Sequence, residues 1–291
     1  MTIGVLGWVI FSFIRWVDQI ARLGRLGTTI DRVEKAAEAA LERRKRTPHL
    51  GGQPVAENAA APGEPVFANA IGYVQHINVE ALQACAEKYK TTLTVEAAPG
   101  TFVAPGRALV FVTREGTPGA GDNIDRSALS DAFTIGHDRT YDEDPRFGLI
   151  ALSEIAARAL SPAVNDPGTA IDIIGTFVRL FTLWVSPLPE ANNSSGVAYD
   201  RVHVPSLTLD EMFDDAFTAI ARDGAGTIEV MVRLQKAFIS LASLEHSELQ
   251  EAVLRHSQFA YLRAEATLKM PYEIERVRAL ANVLREQHSP K

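Results

Sequence analysis

A single cysteine, Cys85, stands among the 291 residues, which excludes an intramolecular disulfide and a cysteine-based zinc cluster. An excess of positive charge is lacking too: 29 Lys+Arg face 36 Asp+Glu, for a net charge of −7. A general nucleic-acid binder needs a basic face to neutralise phosphates, so no nucleic-acid partner is expected. The seven histidines show no His-x-x-x-His spacing and no acidic metal box accompanies them, so neither a metal site nor a cofactor is expected. A Gly-x-Ser-x-Gly elbow is missing, and Cys85 lies in a short apolar helical pattern, as a core residue rather than a nucleophile. The charge-free run at residues 3–14 (IGVLGWVIFSFI) is shorter than the about 20 residues that cross a bilayer. It has no basic residue before it and no small-x-small site after it, so it is not a signal peptide.

What is present begins with an uneven charge. Residues 1–46 carry nine Lys/Arg and five acids, a net +4, which leaves −11 for residues 47–291. A basic neck on an acidic body suits a membrane-proximal segment, because anionic lipid attracts the neck. The run at 3–14 is then the last part of a transmembrane helix or an interfacial helix, with Trp8 and Trp16 at the interface and the basic cluster on the cytoplasmic side. Its alternative is a buried N-terminal helix. From Asp18 to about Arg46 the residues Leu23, Leu26, Ile30, Val33, Ala37 and Ala40 repeat at 3-4-3-4-3 spacing, one narrow apolar stripe that packs on its own domain or on a second copy.

Residues 47–65 are rich in Pro, Gly and Ala and read as a linker. Between 66 and 114 short β-like runs at 66–68, 71–77, 91–97 and 108–113 surround a short helix at 79–88. The phrase from Pro99 to Leu109 (PGTFVAPGRAL) resembles the turn-and-strand phrase of barrel-sandwich, lipoyl-like domains, with Phe102, Val103 and Leu109 filling a small barrel. No carrier lysine stands at a hairpin tip, so a structural or docking module is expected. Residues 114–124 read as its exit loop and 186–205 as another long loop. The rest of 125–288 is helical, with a capping box at Thr208-Leu209-Asp210-Glu211 and another at Ser247-x-x-Gln250.

The polar phrase of residues 159–170 (ALSPAVNDPGTA) joins two apolar helices. Asp166-Pro167 is an N-cap with proline at the first helical position, and Asp144-Pro145 repeats the device upstream. Two readings stand side by side. One is a shaped helix–turn–helix corner whose polar groups satisfy one another. The other is a polar pocket on which Arg139, Asp144, Arg158, Ser161, Asn165, Asp166 and Thr169 converge. Asp142-Glu143-Asp144 reads as a solvated helix start rather than a pair of catalytic carboxylates.

Here a resemblance becomes specific. Phe133-x-x-Gly136-x-x-Arg139-Thr140-x-x-x-Asp144-Pro145-x-Phe147-Gly148, followed by Leu152-x-x-Ile155-Ala156-x-Arg158-Ala159-Leu160-Ser161-Pro162-x-x-Asn165-Asp166-Pro167-x-Thr169-Ala170, resembles domain-of-unknown-function family 2254, predicted bacterial membrane proteins. Phe13-Ile14-x-x-Val17-x-x-Ile20 resembles that family's final transmembrane helix and neck, and Gly72-Tyr73-Val74-Gln75 also fits. Gly168 stands where an aromatic is usual, and Arg15-Trp16 and Asp18-Gln19 replace a histidine-bearing neck. The resemblance implies a multi-pass anchor followed by a cytoplasmic domain at the plasma membrane, with upstream helices that are absent from this sequence.

The expected fold is α+β, mostly α: a partial transmembrane or interfacial segment (1–18), a juxtamembrane helix (19–46), a linker (47–65), a barrel-sandwich-like β module (66–114) and a helical domain (125–288). The expected role is binding, regulation or assembly for a pore or transporter, with no catalytic residue assigned. The expected partners are the lipid bilayer, a second copy in a homo-oligomer, and a small-molecule ligand that the sequence does not name. An enzyme or small anionic-ligand binder using the Arg/Asp/Asn residues of 139–169 is the alternative.

Overall fold

A computed structural model of the chain describes residues 8, 11, 26–56, 63–114, 124–188 and 196–288. Of the apolar run at 3–14 these include Trp8 and Phe11, both helical and exposed. The remainder of that run, the stripe residue Leu23 and nearly all of the loop at 114–124 lie outside the described residues. The fold is α+β and mostly helical, as the residue pattern implies.

The helical body is held by five wholly buried phenylalanines, Phe177, Phe181, Phe213, Phe217 and Phe238. They come from α5 (Pro167–Val185), α6 (Leu209–Asp223) and α7 (Ile228–Ala242). Their rings meet at centroid distances of 4.4 Å (Phe181–Phe213), 5.2 Å (Phe177–Phe217) and 5.0 Å (Phe217–Phe238). Removing each such ring from water stabilises by about 1.5–3 kcal/mol, and the rings sit within one larger apolar core. Helix α5 is long and apolar enough to cross a membrane by length and composition. Here it packs against α1 (Leu26–Arg46), α4 (Pro145–Leu160) and α7, and its apolar face is the core of the body.

Helix starts follow the sequence in most places. Asp144 and Asp166 accept hydrogen bonds from the amides of Phe147 and Thr169, ahead of Pro145 and Pro167. Thr208 caps α6 and reciprocates with Glu211. The second box is corrected. His246, not Ser247, caps α8 (Ser247–Thr267) by accepting from Leu249 N at 3.3 Å. Gln250 instead reaches back to the carbonyls of Ala242 and Leu244. Helix α9 (Pro271–His288) closes the body against α7 and α8.

The apolar stripe of α1 is a seam within this chain. Ile30, Ala37, Ala40 and Leu41 are buried, and α1 lies against α4 and α5. The approach is close because α4 presents Gly148. A Cβ built there would meet Ala37 Cβ at 2.4 Å, nearer than any side chain allows.

The β part is two sheets. One has strand order β1-β8-β4-β6-β2, the other β5-β3-β7. Strands β2 (Glu64–Phe67), β3 (Gly72–Ile77), β4 (Thr91–Val95), β5 (Phe102–Val103) and β6 (Ala108–Arg114), and helix α2 (Val79–Tyr89), fall where alternation puts them. Three strands come from elsewhere: β1 (Gly52–Pro54) from the stretch read as linker, β7 (Phe133–Gly136), following the short helix α3 (Arg126–Asp131), from the stretch read as helical, and β8 (Tyr199–Val204) from the stretch read as loop. Strand β8 runs parallel to both β1 and β4, and its buried Val202 and Val204 complete the module's core. Val103 and Leu109 fill that core as expected, whereas Phe102 is 46% exposed and turns its ring edge toward Tyr73. Cys85 is partly buried on α2, where burial raises its thiol pKa.

Candidate functional site

The seven residues expected to form a polar pocket are not brought to one place. Helix α4, 16 residues long and so about 24 Å from end to end, separates them. At its far end Ser161 donates to the carbonyl of Arg158, and Asn165 takes a positive φ of 50°. There Asp166 accepts from both the amide and the hydroxyl of Thr169, which lowers its pKa. Arg158 and Asn165 are exposed. This end is a self-satisfied corner.

At the near end Arg139 and Asp144 meet. Arg139 reaches Asp144 Oδ2 with Nε at 2.7 Å and Nη2 at 2.6 Å, and its guanidinium lies over the Phe147 ring at 5.3 Å. Asp144 is 3% exposed. Burial pushes its carboxyl pKa up, and Arg139 opposes that shift. The Pro99-Gly100 turn of the β module rests on this carboxylate. Gly100 has φ +90°, and a Cβ there would stand 2.3 Å from Asp144 Oδ2, so both the turn and the contact need glycine.

Helix α1 ends at the same seam. Three residues of the basic run that reads as lipid-facing are bonded to the body, although Arg43 and Arg46 stay exposed. Arg43 donates to the carbonyls of Tyr141 and Asp142, Arg44 to that of Glu143, and Lys45 to those of Leu183 and Ser186 at the end of α5. Cationic groups on orphan helix-end carbonyls are favourable. Arg46 pairs with Glu42. Arg44 is 7% exposed, and burial lowers its pKa while Glu143 and Asp144 raise it. Glu143 in turn holds His76 of β3 through Nδ1 at 2.5 Å.

Two cavities flank Arg44. One, of about 490 Å³, lies between the end of α1 and β3 and includes Arg43, His76, Glu143 and Tyr199 in its wall. The other, of about 540 Å³, lies beneath the 98–102 turn. Its wall brings Arg44, Arg107, Arg139 and Arg146 together with Glu96 and Glu211. Arg146 is clasped by Asp215, at 2.6 Å and 3.2 Å, and by Glu211 at 3.2 Å; the Asp215 hydrogen bonds raise its pKa first of all. Of these residues the sequence pattern singled out Arg139 alone. The run at 43–46 was visible as charge, but nothing in the order of residues places it beside residues 100 and 139. Among the described residues no cluster of His, Cys, Asp and Glu is arranged to hold a metal ion.

A family model described as Predicted membrane protein (DUF2254) matches residues 1–240, which takes in both cavities and stops short of α8 and α9. Uncharacterized protein Rv1290c of Mycobacterium tuberculosis (strain ATCC 25618 / H37Rv) and Uncharacterized protein Mb1321c of Mycobacterium bovis are each 38% identical to this chain over 116 residues. That segment is 39% of this chain and 22% of either relative. No solved structure matches the chain.

Proposed function

This chain belongs to the DUF2254 family of predicted membrane proteins, and from that premise we propose that it is a tethered, cytoplasm-facing binding and regulatory domain at the plasma membrane. It serves a pore or transport unit, and α1 couples that unit to the seam between the helical body and the β module. One observation carries the reading. Three consecutive residues at the end of α1, Arg43, Arg44 and Lys45, are hydrogen-bonded to backbone carbonyls of the body. A helix fixed in this way passes a displacement at its start, about 30 Å away over 21 residues, to the residues around both cavities. Its homo-oligomer uses a surface other than Ile30, Ala37 and Ala40 of α1, which are buried where α1 lies against α4 and α5.

The second reading, a small anionic-ligand binder, is favoured by the four arginines around one cleft. It is compatible with the first, because a ligand at the seam is a means of regulation.

The tether is tested by tagging the C-terminus at the native locus and separating membrane from soluble material. The tag is expected in the membrane fraction, cleaved by protease in inside-out vesicles and protected in right-side-out ones. A soluble tag, or one cleaved only from the outside, contradicts the reading.

A further inference from the structure

We propose that the cleft beneath the 98–102 turn binds a phosphoryl group, either of a soluble phosphate ester or of an anionic lipid headgroup, with Arg44 and Arg107 as its principal donors. The inference deepens the reading of the seam as the binding part of the molecule and rests on that reading, not on the tether.

Two of the four guanidinium groups in this cleft are already matched by carboxylates. Arg139 is held by Asp144, and Arg146 by Asp215 and Glu211. Arg44 and Arg107 have no carboxylate partner among the described residues. Arg44 gives one hydrogen bond, to Glu143 O at 3.1 Å, and Arg107 gives one, to Phe102 O at 3.2 Å. A guanidinium has five N–H donors, so each keeps most of its capacity. Arg44 is nonetheless 7% exposed, with Glu143 and Asp144 as its neighbouring negative charges, and a buried cation is costly unless it is paired and hydrogen-bonded. Neither carboxylate pairs with it directly: Glu143 is held by His76, and Asp144 accepts from Arg139 and from the amide of Phe147.

The cleft itself favours an anion. Four arginines stand in its wall against Glu96 and Glu211, and Glu211 is engaged by Arg146 and the Thr208 hydroxyl. Helix α6 opens here at Thr208, adding the positive end of its dipole. A volume of about 540 Å³ lies within the range of small-molecule sites. Arginine forks match phosphoryl oxygens in pairs, and a tetrahedral group offers enough acceptors for a buried fork and one at the rim.

The experiment uses the full chain in phosphatidylcholine nanodiscs, titrated with inorganic phosphate against chloride at matched ionic strength. A second arm replaces the lipid by phosphatidylglycerol without added phosphate, and both arms read the melting temperature. The expected result is a saturable rise in one arm or both. Loss of one charge-assisted contact should weaken it about 10- to 100-fold in Arg107→Ala, an exposed position whose circular dichroism should match wild type. Arg44→Lys keeps the charge but loses the fork and should weaken it as well, while Arg276→Ala on α9 should not. A rise with phosphate assigns the site to a soluble ester, and a rise with phosphatidylglycerol assigns it to a headgroup. No rise in either arm, or a rise that persists undiminished in Arg107→Ala, overturns the site. A soluble protein that still binds phosphate through Arg107 keeps this inference and ends the tether.

Discussion

Asp144→Ala should lower the unfolding free energy by about 3–5 kcal/mol, the cost of leaving one partner of a buried ion pair uncompensated. Three supports disappear together. Arg139, 18% exposed in its side chain, loses its counter-charge. The first turn of α4 loses the oxygen that accepts from Phe147 N, by itself worth about 1 kcal/mol. The Pro99-Gly100 turn loses the surface on which it rests. Asp144→Asn keeps the shape and a capping oxygen but not the charge, and should fall between wild type and Asp144→Ala. Urea denaturation of the two variants checks the order. A loss below about 1 kcal/mol in Asp144→Ala, no more than a missing cap, would show that the seam is held elsewhere.

Acid should weaken the body through His256. This residue is 5% exposed, its ring tilted against that of Phe213 at a centroid distance of 5.5 Å. Its Nε2 lies 3.3 Å from Arg255 Nη2 and 3.4 Å from Asp214 Oδ1. Burial pulls its pKa from 6.5 down to about 4; Asp214 and Asp210 oppose the shift, and Arg255 and Arg263 reinforce it. An unfolded chain therefore takes up the proton first. Stability from this residue is complete above pH 6.5 and is lost as pH falls toward about 4, amounting to about 3 kcal/mol at 1.36 kcal/mol per unit. His256→Phe, which can keep the ring contact with Phe213, should flatten urea midpoints between pH 6.5 and pH 4.5. Equal slopes in variant and wild type would assign the acid sensitivity to carboxylates instead.

The sequence was most readable where periodicity and caps act locally. The Asp-Pro starts of α4 and α5, the Thr208 box and the alternation of β3, β4 and β6 need only neighbouring residues. Strand β8 was less readable because its alternation is six residues long, YDRVHV, next to a Ser/Asn/Gly stretch, and its pairing partners lie more than 100 positions away. The site was legible in part. Arg139 and Asp144 are five residues apart and meet, whereas Arg158 and the residues after it were grouped with them by sequence proximity and sit at the other end of a 16-residue helix. The basic run at 43–46 shows the same limit. Charge alone suits a lipid surface, and it took the fold to place helix-end carbonyls of α5 within reach of Lys45.

Amide hydrogen exchange of α1 in the full chain, compared with Gly148→Leu, tests the central claim most directly. If α1 is a fixed member of the body, its amides from Ile30 to Leu41 exchange as slowly as those of α4. A leucine at a site where even a Cβ stands 2.4 Å from Ala37 then speeds α1 by about 10- to 100-fold, as an overpacked contact costing 1–3 kcal/mol requires. Exchange of α1 in wild type as fast as in the variant would make it a loose neck, and the coupling of the tether to the seam would fail.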